Sequence, residues 1–155
     1  MVLSSRALAR LLAVAAFVAA PLGVLAQTAA RGAPSIRDGV FTAEQARRGQ
    51  AAYTGPCDRC HGFKLDGAPD DPDMLPAPPV AGSKFLRKWD GRTLAVLFEY
   101  VRTTMPTNNP GYLSDAEVAD IVAYMLSASG LPAGDTALSP EPEALASIVI
   151  VSQSR

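Results

Sequence analysis

The only histidine in this 155-residue chain directly follows its only two cysteines, in the run Cys57-Asp58-Arg59-Cys60-His61. A Cys-x-x-Cys-His run has the form of a c-type haem attachment site. The spacing follows from the chemistry. Two thiols add across two vinyl groups of one flat macrocycle and become thioethers, and the neighbouring imidazole reaches the iron from one side. On a helical turn, positions i, i+3 and i+4 share a face, so Cys57, Cys60 and His61 can all address one planar ligand. A chain carrying this run has to wrap around that ligand, and no other Cys or His is available to build a rival site.

Competing readings of the same residues are weaker. A Cys-x-x-Cys pair can be a thioredoxin-like redox centre, and Gly55-Pro56-Cys57 faintly resembles one, but that reading needs a βαβ context. No convincing strand precedes Cys57. A tetrahedral zinc site needs four ligands as a rule, and this chain offers three. A structural disulfide would leave His61 without a role.

The N-terminus reads as an export signal. Arg6 and Arg10 form a basic region. Leu11 to Leu25 is apolar, broken only by Pro21 and Gly23, and Val24-Leu25-Ala26 offers small residues for cleavage after Ala26. An uncleaved anchor is the competing reading, but the run is short for a span of roughly 20 residues. Export agrees with the attachment motif, since thioether formation of this kind happens outside the cytoplasm, and the expected location is periplasmic. The chain carries 14 Lys+Arg against 15 Asp+Glu, and loss of Arg6 and Arg10 would leave 12 against 15. This mildly acidic balance argues against nucleic acid as a partner. Residues 1–26 are read as the signal, 27–40 as a flexible N-terminal segment, 41–131 as the folded domain, and 132–155 as a tail of open structure. A domain this small gains core area from a buried macrocycle.

The folded part reads as mostly α. Thr42 followed by Gln45 is a capping-box pattern, opening a helix that runs to about Tyr53 and stops at Gly55-Pro56. A second helix begins near Arg92 or Thr93, with Leu94, Leu97, Phe98 and Val101 on one apolar stripe. A third opens on Ser114 with Glu117 at the third position. It buries Val118, Ile121, Val122 and Met125, and ends at Gly130-Leu131-Pro132. A short helix is expected over Ser83–Trp89. Gly62 to Pro79 holds too many prolines for a helix and reads as an ordered loop along one edge of the ligand. In the tail, the apolar run Ala144 to Val151 is too short for a membrane span. It could pack back as a helical turn or strand, or dock a partner.

A second axial ligand is expected from a methionine, because a thioether suits haem iron and raises its potential. Met125 lies on a helix's apolar face and reads as core. Met74 sits among prolines and aspartates. Met105 precedes Pro106 in the loop between two amphipathic helices and has no helix face to fill, so it ranks first.

Taken together, these motifs resemble a class I cytochrome c of the small exported bacterial monohaem type, over roughly Thr42 to Gly130. Gly49 and Tyr53 precede the attachment run at the family's spacing, and Tyr124 resembles the aromatic of its last helix. Pro79-Val80-Ala81-Gly82 resembles the segment leaving the proximal loop. Met105-Pro106 with Pro110-Gly111-Tyr112-Leu113-Ser114-Asp115 resembles the distal loop and the start of the final helix.

The resemblance implies one covalent haem c on Cys57 and Cys60, with His61 as proximal and Met105 as distal ligand. It implies that the second nitrogen of His61 donates to a loop carbonyl near Pro79. Trp89 would pack beside the haem or bond a propionate, with a plain core role as its alternative. Gly49, Tyr53 and Tyr124 would be structural.

With both axial positions filled, the implied function is electron transfer, not catalysis. The partners would be redox proteins: a dehydrogenase or membrane complex as donor, an oxidase or other terminal acceptor, in brief encounters. Two alternatives stay open. One is a fixed cytochrome subunit of a quinoprotein dehydrogenase, docked by the tail. The other is a haem enzyme or sensor with an open distal site.

Overall fold

Capping residues set where the helices begin. The structure is a computed structural model that describes residues 33–73 and 77–153. The expected export signal, residues 27–32 and Met74 lie outside these. Among the described residues the elements are α1 (Ala43–Tyr53), α2 (Asp58–His61), α3 (Gly82–Trp89), α4 (Leu94–Thr104), α5 (Asp115–Ala128) and α6 (Pro142–Ala146), with no strand. The chain is mostly α, as its periodicity predicts.

At the start of α1, Thr42 is extended and its Oγ1 accepts the Gln45 N–H at 3.1 Å. The other half of the expected capping box is not made. The Gln45 amide turns inward instead, donating to the Leu138 carbonyl at 2.9 Å and accepting the Leu138 N–H at 2.7 Å. Both groups are buried, so each bond replaces a lost water contact. At α5 the box is complete. Ser114 Oγ accepts the Glu117 N–H at 3.3 Å, and the Glu117 carboxylate accepts the Ser114 N–H at 2.9 Å. These bonds, the Ser114 hydroxyl first, hold the Glu117 carboxyl below the usual carboxylate range.

The C-terminus of α5 closes in a Schellman motif. Gly130 adopts φ +79°, its N–H reaches the Ser127 carbonyl at 2.9 Å, and the Leu131 N–H reaches Leu126 at 3.2 Å. Leu131 then buries against the core.

The largest helix contact is the crossing of α1 over α5. Gly49 makes it possible, since a Cβ there would stand 1.8 Å from the Asp120 carbonyl oxygen. Around this point Tyr53 meets Tyr124 edge to face with ring centroids 5.5 Å apart. Arg48 grips Asp120 through two bonds of 2.8 and 2.9 Å. Helix α4 packs on α5 and α6. Its stripe of Leu94, Leu97, Phe98 and Val101 is buried, as is the α5 stripe of Val118, Ile121, Val122 and Met125.

The segments flanking the helices pack on them. In the described part of segment 27–40, Ile36 is fully buried and its N–H donates to the Val149 carbonyl at 3.0 Å. A single large apolar residue carries no periodicity, which is why the sequence pattern misses it. The open question of the tail resolves towards packing back. After α6, residues 148–150 lie between the N-terminal segment and the turn joining α3 to α4. Val149 bridges Ser35 in parallel and Thr93 in antiparallel fashion, and Ile150 is fully buried. No helix among the described residues is long and apolar enough to cross a membrane.

Candidate functional site

The attachment run is built as one turn hung from the end of α1. The Cys57 N–H donates to the Tyr53 carbonyl at 3.1 Å, and the Cys57 carbonyl accepts from Cys60 and His61 at 3.2 and 2.9 Å. The buried Asp58 fixes the approach, accepting the Gly55 N–H at 2.9 Å. Cys57, Cys60 and His61 therefore all line one cavity of about 720 Å³, a size that suits a cofactor. Both cysteines are free. Burial, with help from Asp58 and Cys60, pushes the Cys57 thiol up to about 11. That is opposite to the depressed thiol pKa of Cys-x-x-Cys oxidoreductases, and with no strand among the described residues the thioredoxin-like reading loses its support. Among the described residues no cluster of three metal-ligating His, Cys, Asp or Glu side chains occurs, so a zinc site has no fourth donor to recruit.

His61 is oriented by the proline-rich loop. Its Nδ1 stands 2.8 Å from the Pro78 carbonyl. A carbonyl can only accept, so Nδ1 carries the proton, which in the neutral ring leaves the lone pair on Nε2. The expected donor bond thus goes to Pro78 and not to Pro79. Consecutive prolines offer consecutive carbonyls, and composition cannot choose between them. Pro79 itself lines the cavity.

The loop is pinned at Leu65, whose carbonyl accepts from Val80 at 2.8 Å and Ala81 at 3.3 Å. Leu65 is buried with φ +58°, a costly conformation for a leucine that these bonds and its burial sustain. On the other side of the turn, the Tyr53 hydroxyl donates to the Gly62 carbonyl at 2.9 Å. Burial raises the Tyr53 phenol well above its ordinary pKa, so it stays a donor.

Met105 is the C-cap residue of α4 and lines the same cavity, half-buried against the core. The peptide bond to Pro106 is cis. Trp89 is buried and also lines the cavity, meeting Tyr100 edge to face at 5.5 Å. The structure therefore brings Cys57, Cys60, His61, Pro79, Trp89 and Met105 to one enclosure. Among the other lining residues, Met125 and Tyr100 show what the sequence pattern does not separate. Met125 is core on its helix face, yet that face also borders the cavity, and periodicity cannot separate protein from cofactor as a neighbour. Tyr100 lies off the apolar stripe of α4, and only its contact with Trp89 reveals it.

The donor chemistry fits a haem. Two free thiols, one imidazole with an unprotonated nitrogen and one thioether line a mainly apolar enclosure. These are the groups that attach and ligate a c-type haem.

Residues 44–125 match the family model described as cytochrome c oxidase, cbb3-type, subunit III. Among solved structures, the chain is similar to the sulfane dehydrogenase SoxCD from Paracoccus pantotrophus, at 22% identity and a TM-score of 0.49. That similarity covers 76% of this chain and 60% of the other, so the chain spans less than two thirds of that relative's length. No curated protein matches the chain.

Proposed function

This chain belongs to the cytochrome c oxidase, cbb3-type, subunit III family, and on that ground we propose that it works as an exported monohaem electron carrier whose iron His61 and Met105 would both ligate. That it is a class I-type c-type cytochrome, an electron-transfer protein and not an enzyme by itself, follows from the family. The export, the single haem, the ligand set and the partners are the proposed part.

In this reading Cys57 and Cys60 would hold the haem by thioethers, and His61 Nε2 and the Met105 sulfur would ligate its iron. The bound haem supplies reversible one-electron chemistry. The rest is work done by the chain. The Pro78 carbonyl holds the His61 ring in one tautomer and raises its basicity as a ligand. The apolar walls from α4 and α5 keep water away, which stabilises the less charged state of an iron centre. Anchoring both ends of the enclosure on helices keeps the donor atoms in place between redox states. With Met105 bound to the iron, no coordination position would be left for a small ligand.

The observation that carries this reading is the convergence of His61, with its outer nitrogen already bonded, and Met105 on one cavity. The tail-docked subunit reading loses its main support, because residues 148–150 are engaged within the domain itself. A dehydrogenase or membrane complex remains the proposed donor, and an oxidase or other terminal acceptor the proposed destination, both on the periplasmic side.

Carbon monoxide tests the closed site. The reduced holoprotein at neutral pH should show no prompt spectral change, while Met105→Ala should bind the gas at once and lose the weak long-wavelength band of iron–methionine bonding. Met74→Ala should keep that band. Prompt binding by the unaltered protein overturns the carrier reading in favour of an enzyme or sensor.

A further inference from the structure

The corner where α3 meets α4 carries a cluster of cations, of which only Lys88 borders the cavity. Residues 82–93 hold four cations, Lys84, Arg87, Lys88 and Arg92, against one carboxylate, Asp90, in a chain whose overall balance is slightly acidic. Lys84, Arg87 and Lys88 fall at i, i+3 and i+4 and so share one exposed face of α3, opposite the buried Phe85, Leu86 and Trp89. None of the four forms an ion pair among the described residues, where the ion pairs are Arg47–Glu44, Arg48–Asp120 and Arg102–Glu99. The Asp90 carboxylate is engaged elsewhere, accepting the Ser152 N–H at 2.6 Å.

Two of these cations converge on one ring. The Lys88 ammonium lies 5.9 Å and the Arg92 guanidinium 5.5 Å from the centre of Trp89. Like charges gathered on one aromatic repel each other, and a cation–π contact at an exposed site is a weak offset. An anionic surface laid over them would relieve that repulsion. Beside them α4 exposes apolar area: Val96 is 45% and Tyr100 42% exposed, one turn apart on the same face. Tyr100 touches Trp89, and both rings line the cavity. A continuous patch therefore runs from solvent at Val96, through Tyr100 and Trp89, to the interior, with cations at its edge. An apolar centre with a charged rim is the anatomy of a protein interface.

We infer that this corner is the docking surface for a redox protein presenting an acidic face, and that the electron crosses beside Trp89 and Tyr100. The inference rests on the carrier reading and adds the surface and the partner's chemistry. The transfer is balanced as one electron leaving the ferrous haem and one reducing the partner's metal, with no proton moved.

The test uses holoprotein in the ferrous state and oxidised plastocyanin, an acidic one-electron acceptor, as probe. Stopped-flow rate constants are measured between about 10 and 200 mM salt, a range that takes the screening length from about 30 Å to below 10 Å. Arg87→Glu/Arg92→Glu reverses two exposed cations that do not line the cavity. Arg47→Glu, on α1, changes charge away from it.

The unaltered rate should fall steeply with salt. The double variant should be slower by roughly tenfold at low salt with its salt dependence flattened or inverted, and Arg47→Glu should stay within about twofold. Slowing by Arg47→Glu of about half the double variant's logarithmic effect, in proportion to its charge change, would show a net-charge effect and overturn the assigned surface. A shifted haem spectrum or potential in the double variant, with salt dependence intact, would assign these cations to the cofactor's own carboxylates and overturn it as well. The cationic oxidant tris(phenanthroline)cobalt(III) separates the two levels of the argument. Normal exchange with it, but none of the predicted plastocyanin pattern, rejects the surface alone. No exchange with either oxidant rejects the carrier reading and the surface with it.

Discussion

Replacing Gly49 with alanine should loosen the whole enclosure, although Gly49 touches no part of the cavity. A Cβ at this position would lie 1.8 Å from the Asp120 carbonyl oxygen, 2.4 Å from its carbon and 2.9 Å from the Tyr124 Cβ. Two of these atoms are backbone and cannot swing aside. Reaching even a 3.0 Å contact requires α1 and α5 to move apart by more than roughly 1 Å, a displacement that a close-packed interior does not absorb for free. Overpacking of this kind costs about 1–3 kcal/mol. Loss of the Tyr53–Tyr124 edge contact adds about 0.5–1.5 kcal/mol. The solvent-screened Arg48–Asp120 pair adds little, and alanine's better helix propensity works in the opposite direction.

The expected loss is about 2–4 kcal/mol, a large part of the ~5–15 kcal/mol typical of a domain. Guanidinium unfolding of holoprotein, followed by far-ultraviolet circular dichroism, measures it. In a thermal melt of the same holoprotein the midpoint temperature should fall by about 10 °C. Gln50→Ala, exposed on the same helix, should stay within ~0.5 kcal/mol. A Gly49→Ala protein as stable as the parent would refute the crossing geometry and the placement of the attachment turn that depends on it.

Two further substitutions probe the same frame. Gln45→Leu leaves both buried backbone groups of Leu138 without partners and should cost about 2–4 kcal/mol, with faster proteolysis in the 133–140 segment as the local readout. Ser114→Ala removes the cap of α5 and should cost about 1 kcal/mol at neutral pH by denaturant titration. Because Glu117 has its pKa depressed by that cap, the difference between parent and variant should be complete above its ordinary pKa of about 4.3 and shrink as pH falls through the lower folded value.

The helices were legible because their signals are local. Thr42 and Ser114 announce where chains of periodic apolar residues begin, and Gly130 announces where one ends. The attachment turn was legible because its chemistry fixes its spacing. What escaped was long-range or ambiguous in period. Ile148, Val149 and Ile150 read equally as helix or strand, and only their bonds to Pro34–Ile36 and Gly91–Leu94 decide their place. Gln45 fits a capping box by residue type, but the demand of a buried Leu138 backbone outweighs the local bond. Pro78 in place of Pro79 turns on one residue of loop register, set by the pinning of Leu65. The docking corner needed the contact of Trp89 with Tyr100, residues eleven apart on two different helices.

Intact-mass analysis of protein made in a host able to attach haem addresses the foundation of all this. The account predicts a single species heavier than the polypeptide by one haem, with the added mass on the peptide carrying Cys57 and Cys60 and lost when both are changed to serine. Bare polypeptide as the only product, or added mass surviving that double change, would contradict it.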